Sequence, residues 1–123
     1  MAPRDLLERT QFFALAALAF CRRLPRSPEA QEAAAQLRRA ANSVRSNYRA
    51  ARKGRSRAEF QARLGIAAEE ADECVDWLEY FRDGRIQEDA ALMQEAQELA
   101  RILATSVRTA RANTIRIKKV PNS

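Results

Sequence analysis

Residues 56–84 read SRAEFQARLGIAAEEADECVDWLEYFRDG, and this stretch decides the fold. Its apolar residues Phe60, Leu64, Ala67, Ala71, Cys74, Leu78 and Phe81 recur at spacings of three and four, which traces one face of a helix. Ser56-Arg57-Ala58-Glu59 opens it as a capping box, where hydroxyl and carboxylate each satisfy a backbone N–H of the first turn. Gly84 supplies the stop. At 1.5 Å per residue such a helix is about 40 Å long. One apolar stripe of that length needs neighbouring helices to cover it.

The flanking sequence provides them. Upstream, Ser27-Pro28-Glu29 sets a hydroxyl N-cap, Pro at the first helical position and an acid in the first turn. Ala30, Ala33, Leu37, Ala40, Val44, Tyr48 and Ala51 continue that helix to Gly54. Before it, Leu6, Thr10, Phe13, Ala14, Ala17, Cys21 and Leu24 mark a first helix that Pro25 ends. Downstream, Leu92, Ala96, Leu99, Leu103, Val107 and Ala110 mark a fourth, from about residue 87 to 112. Connections of a few residues make consecutive helices antiparallel. The expectation is all-α: an up-down-up-down four-helix bundle in one domain, residues 1–112, followed by a short basic tail. In that tail, residues 113–123 (NTIRIKKVPNS), Thr114, Ile115 and Ile117 favour extended chain and Pro121 prevents helix. A flexible segment is expected there, with an ordered strand or arm as the alternative.

The 123 residues suffice for one core without disulfides or metals. There is no His, which removes Ser-His-Asp and Cys-His catalysis, His-ligated zinc and Glu-x-x-His di-iron sites. No Gly-rich phosphate loop or nucleophile elbow occurs either, and a nonenzymatic protein without cofactor or metal is expected. Cys21 and Cys74 fall on apolar helix faces as buried thiols, in keeping with a reducing cytoplasm. The run FFALAALAFC, Phe12 to Cys21, is too short to span a membrane, and its acid-before, base-after flanks are reversed for a secretory signal. Around the first helix, Phe12, Leu15, Ala16 and Ala19 lie off the core stripe. That surplus apolar face predicts contact with another subunit.

Charge is unevenly placed. Residues 38–63 carry nine bases and one acid, residues 69–83 seven acids and one base, and residues 101–123 six bases and no acid. Arg38, Arg45, Arg49 and Arg52 share one lateral strip of the second helix, within about 60° of one another in projection. Aligned like charges repel, and the guanidinium fork suits phosphate. The candidate nucleic-acid contacts are therefore these four with Lys53, Arg55, Arg116, Lys118 and Lys119. A solvated face, or one meeting the acidic helix of a neighbouring subunit, is the competing reading. No aromatic residues interleave the strip, so phosphate contact is expected rather than base stacking. On the acidic helix, Glu69, Asp72, Asp76 and Glu79 point outward, whereas Glu70 and Glu73 flank the core beside Trp77. Arg9 and Arg39 are their expected partners, a structural pairing in place of a metal site.

Several of these residues carry a family resemblance. Asp5-Leu6, Arg9-Thr10, Phe13-Ala14 and Leu24-Pro25 are followed by Gln36-Leu37-Arg38-Arg39-Ala40, Ser43-Val44, Asn47-Tyr48-Arg49 and Ala51. Then come Ser56-Arg57-Ala58-Glu59-Phe60, Ala67, Glu70-Ala71, Glu73 and Trp77-Leu78. In this order the chain resembles the bacterial four-helix-bundle proteins named after a reading frame within an intervening sequence of 23S ribosomal RNA genes. It departs from their pattern at Ala50, where an acid is common, and at Ser46. The resemblance implies a ring of five subunits with no cofactor and no established reaction. It extends to the accessory variability determinant of diversity-generating retroelements, which implies nucleic acid, RNA ahead of DNA, and a reverse transcriptase as partners. A nonenzymatic, homo-oligomeric RNA-binding protein is the resulting expectation; a protein-interaction scaffold is the alternative.

Overall fold

Each of the four helices starts where a short polar side chain can take a free backbone N–H. The computed structural model describes residues 5–119. In it α1 spans Leu6–Arg22, α2 Pro28–Arg52, α3 Arg57–Asp83 and α4 Ala90–Lys119. Asp5 accepts from the Leu7 N–H at 3.0 Å, Ser27 from Ala30 at 3.4 Å, Ser56 from Glu59 at 3.0 Å and Asp89 from Leu92 at 2.9 Å. Such caps each contribute about 1 kcal/mol. Only half of the capping box forms. The Glu59 carboxylate does not return to Ser56 and stands 4.0 Å from Arg55 Nε.

Gly84 ends α3 as expected, but with an ordinary backbone, φ −77°. The left-handed residue is the next one, Arg85, at φ 57°. Glycine suits position 84 for space: a Cβ there would stand 3.0 Å from the Tyr80 carbonyl oxygen, a tight contact.

Side-chain contacts fix the helix directions. Cys21 lies against the Ala34 carbonyl and Asp5 against Arg52, so α1 and α2 are antiparallel. Arg39 meets Glu73 and Asn47 meets Arg63, which does the same for α2 and α3. Gln61 of α3 reaches Ala110 of α4. α1 packs on α2 and α4, and α3 packs on the same two from the opposite corner. The α1–α4 seam is the thinnest. The expected bundle is therefore present, with α1 diagonal to α3 and α2 diagonal to α4.

Nearly every stripe residue read from the sequence is buried, and the alanines of α2 let α1 and α3 approach closely. Phe20, outside the expected stripe, is fully buried and meets Phe81 edge-on with ring centroids 5.4 Å apart. Both cysteines are buried free thiols. Burial pushes the Cys74 thiol far above its ordinary range.

The C-terminal segment differs from expectation. α4 runs unbroken through Lys119, so the flexible tail expected from residue 113 is helix as far as the described residues extend. Residues 120–123, with Pro121, lie outside them. The Thr114 hydroxyl donates to the Ala110 carbonyl one turn back at 3.0 Å, and Gln61 donates to that carbonyl at 3.2 Å and to the Thr114 hydroxyl. Contacts from α3 thus outweigh the weak extended preference of Thr and Ile.

The polar pairs divide differently from expectation. Arg39 stands 2.8 Å from Glu73 and 3.5 Å from Glu70. Arg9 does not join them. It binds Glu95 at 2.6 Å and lies 3.8 Å from Glu98, both on α4, because α3 is diagonal to its own helix. Burial pushes the Glu70 carboxyl up, the Glu73 charge adds to this, and Arg39 only partly offsets it. Burial also acts on Glu73, but hydrogen bonds from Arg39, Glu70 and Trp77 outweigh it and hold that carboxyl below its usual range. One oxygen of Glu70 is buried with no hydrogen-bond partner.

A pH dependence follows. The raised Glu70 group favours its protonated form in the fold. Its contribution is complete below the unfolded carboxyl value, about 4.3, and is lost as pH rises through the raised folded value. Glu70→Gln, neutral at all pH, is expected to melt higher than wild type at pH 7, with the difference closing below pH 4. Thermal melts at the two pH values check this; a variant equally destabilised at both would contradict it.

Candidate nucleic-acid interface

The periodicity that turns Leu37, Val44 and Tyr48 inward sets Arg38, Arg45, Arg49 and Arg52 along the side of α2 that borders α1. A shallow groove runs between the two helices. Its floor is Ala14, Leu15, Leu18 and Ala35, and Arg38, Arg39, Asn42, Arg45 and Gln11 line its polar side. Arg45 is held in place: Nε and Nη2 donate to Asn42 Oδ1 at 3.0 and 2.9 Å, and Nη1 to Gln11 Oε1 at 3.5 Å. These neutral partners orient the guanidinium without cancelling its charge. Arg52 is the member that meets an acid, with Nη1 3.2 Å from Asp5 and 3.4 Å from the Tyr48 hydroxyl. Among the described residues no carboxylate lies within ion-pair distance of Arg38, Arg45 or Arg49.

The bases after the strip stay at the same end of the bundle. Lys53 is exposed at the end of α2. Arg55 is almost wholly solvent-accessible, and Arg63 donates to Asn47 Oδ1 at 3.3 Å. Arg116, Lys118 and Lys119 occupy the last turn of α4. They share that end with Arg52 and Lys53 but not the strip's flank, since α4 is diagonal to α2. The candidate residues thus form one continuous row on α2 and a separate group on α4.

Two bases that the sequence reading left unassigned, Arg22 and Arg26, meet Arg38 at the far end of the same groove, around Cys21. Their place at the α1–α2 connection, on either side of Pro25, was the available signal. On the opposite side of the bundle Glu69, Asp72 and Asp76 are exposed as expected, whereas Glu79, expected with them, is half-buried. Among the described residues no group of three or more Cys, Asp or Glu could hold a metal. No helix among them is long and apolar enough to cross a membrane. Phe12 and Leu15 of α1 are about half exposed, at 48% and 50%, with Ala16 and Ala19 exposed beside them.

Comparison with known proteins places the bundle. Residues 5–105, all four helices up to the middle of α4, match the 23S rRNA-intervening sequence proteins. The chain belongs to that family. A solved structure of similar fold is a protein of unknown function from the S23 ribosomal protein family of Bacteroides thetaiotaomicron. It is 25% identical, with a TM-score of 0.73, over 83% of this chain and 94% of the other. No curated protein matches the chain. The matched span includes the whole arginine row of α2 and omits Arg116, Lys118 and Lys119 on α4.

Proposed function

We propose that this family member is a nonenzymatic, homo-oligomeric nucleic-acid-binding protein that holds RNA through the α2 arginine row. The carrying observation is that Arg38, Arg45 and Arg49 line one flank with no acid among the described residues to neutralise them, Arg45 being oriented by Asn42 and Gln11. Like charges aligned on a helix repel. A phosphate backbone turns that repulsion into attraction, because each guanidinium that meets a phosphate releases condensed counterions. The family's connection with 23S ribosomal RNA genes favours RNA over DNA. Anisotropy titration of a labelled RNA at low salt tests the reading; absence of binding there overturns it.

Self-association rests on a second surface. Phe12, Leu15, Ala16 and Ala19 present an apolar strip on α1 that the bundle leaves in contact with water. Burying such a strip against another subunit contributes roughly 25 cal/mol per Å² of apolar surface. An oligomer would also repeat the arginine row around one particle and raise avidity for a long polyanion. Ala16→Asp, on the exposed strip and outside the groove, is expected to shift the sedimenting species to monomer with the helical circular dichroism unchanged. An unchanged oligomer mass would remove α1 from the interface.

A further inference from the structure

At the connection between α1 and α2 the groove ends in a recess of about 380 Å³, walled by Arg22, Arg26, Arg38, Leu18 and Leu24, with Cys21 among its lining. Three of its side chains are cations and none is a carboxylate. None of these arginines is ion-paired among the described residues, although Asp89 is close enough to take the neighbouring Arg23 at 3.2 Å. These three exposed guanidiniums repel one another across the concavity, and an anion between them turns that repulsion into attraction.

We propose that this recess binds a phosphomonoester, the terminal phosphate of a nucleic-acid strand whose backbone follows the α1–α2 groove. The strand as the source of the phosphate rests on the function proposed above; the recess itself does not. A monoester carries about two negative charges at neutral pH, where a backbone diester carries one, so it is the better match for three cations. The volume lies at the small end of ligand pockets, about 300–1,000 Å³, which suits a phosphate with its sugar rather than a duplex end. Leu18 and Leu24 offer the sugar an apolar wall. Arg38 lines both the groove and the recess, so a strand held by Arg45 and Arg49 leads its end toward Arg22 and Arg26.

Cys21 makes the site readable. It is 6% exposed, whereas Cys74 is fully buried. Cys21 lines the recess with its thiol against the Ala34 carbonyl, and an occupant closes the approach to it. The experiment measures iodoacetamide modification of Cys21 in the full chain, with mass spectrometric readout. It compares a short RNA ending in a 5′- or 3′-phosphate, its hydroxyl-ended twin, a nucleoside monophosphate and inorganic phosphate. A phosphorylated strand is expected to slow modification at least fivefold and to bind at least tenfold tighter than its twin. Arg22→Gln with Arg26→Gln should abolish that difference. Equal binding and equal modification for the two strands overturn the proposal even where RNA binds. If no strand binds, the function above fails. Protection by the nucleoside monophosphate, lost in the double variant, then still supports the recess, and its absence overturns that too.

Discussion

Phe20→Ala is expected to destabilise the protein by about 3–5 kcal/mol, the range for deleting a fully buried aromatic ring. Phe20 has no exposed surface and packs edge-on against Phe81, joining the diagonal helices α1 and α3 near one end of the bundle. For a domain whose whole stability is about 5–15 kcal/mol, the melting temperature should fall by roughly 10–20 °C. Leu15→Ala, on the half-exposed face of the same helix, is the control and should change monomer stability by less than about 0.5 kcal/mol. A Phe20→Ala variant as stable as that control would mean that the two diagonal helices do not meet through this ring.

Replacing Arg38, Arg45, Arg49 and Arg52 together with Gln is the functional counterpart. RNA affinity at 0.1 M salt is expected to weaken about a hundredfold or more, since each lost phosphate contact forfeits its counterion release. The fold should persist by circular dichroism. Among the described residues Arg38 and Arg49 hold no ion pair and Arg45 has only neutral partners, and the Arg52–Asp5 pair is solvent-exposed. Substituting Arg116, Lys118 and Lys119 instead should cost less, because they stand on a helix diagonal to the row. Equal losses from both sets would point to general attraction by net charge.

The helices were legible because their signals are local and redundant. Three-and-four periodicity, Ser27 and Ser56 at two of the starts, and Pro25 and Gly84 at the stops all gave one answer. What escaped the sequence depends on partners distant in the chain. The tail is helical as far as Lys119 because Gln61 reaches Ala110 and Thr114, some fifty residues away, and no local propensity carries that information. Arg9 chose Glu95 over the α3 acids because a four-helix square leaves α1 and α3 diagonal, a fact of arrangement rather than of pattern. Phe20 escaped because a helix that is apolar nearly all round offers more than one face as its core.

The candidate interface was legible in the same proportion. The spacing of Arg38, Arg45, Arg49 and Arg52 sets them on one flank whatever surrounds α2. That they border α1, share a groove with Leu15 and Leu18, and continue to Arg22 and Arg26 emerged only when the helices were assembled.

Central to the account is direct contact between that row and phosphates. The slope of log affinity against log salt between 50 and 200 mM tests it most directly. The four contacts of the row contribute about −2.8 to the slope for single-stranded and −3.6 for duplex nucleic acid, and the quadruple Gln variant should lose that share. A wild-type slope near zero, or one the quadruple substitution leaves unchanged, would contradict the account.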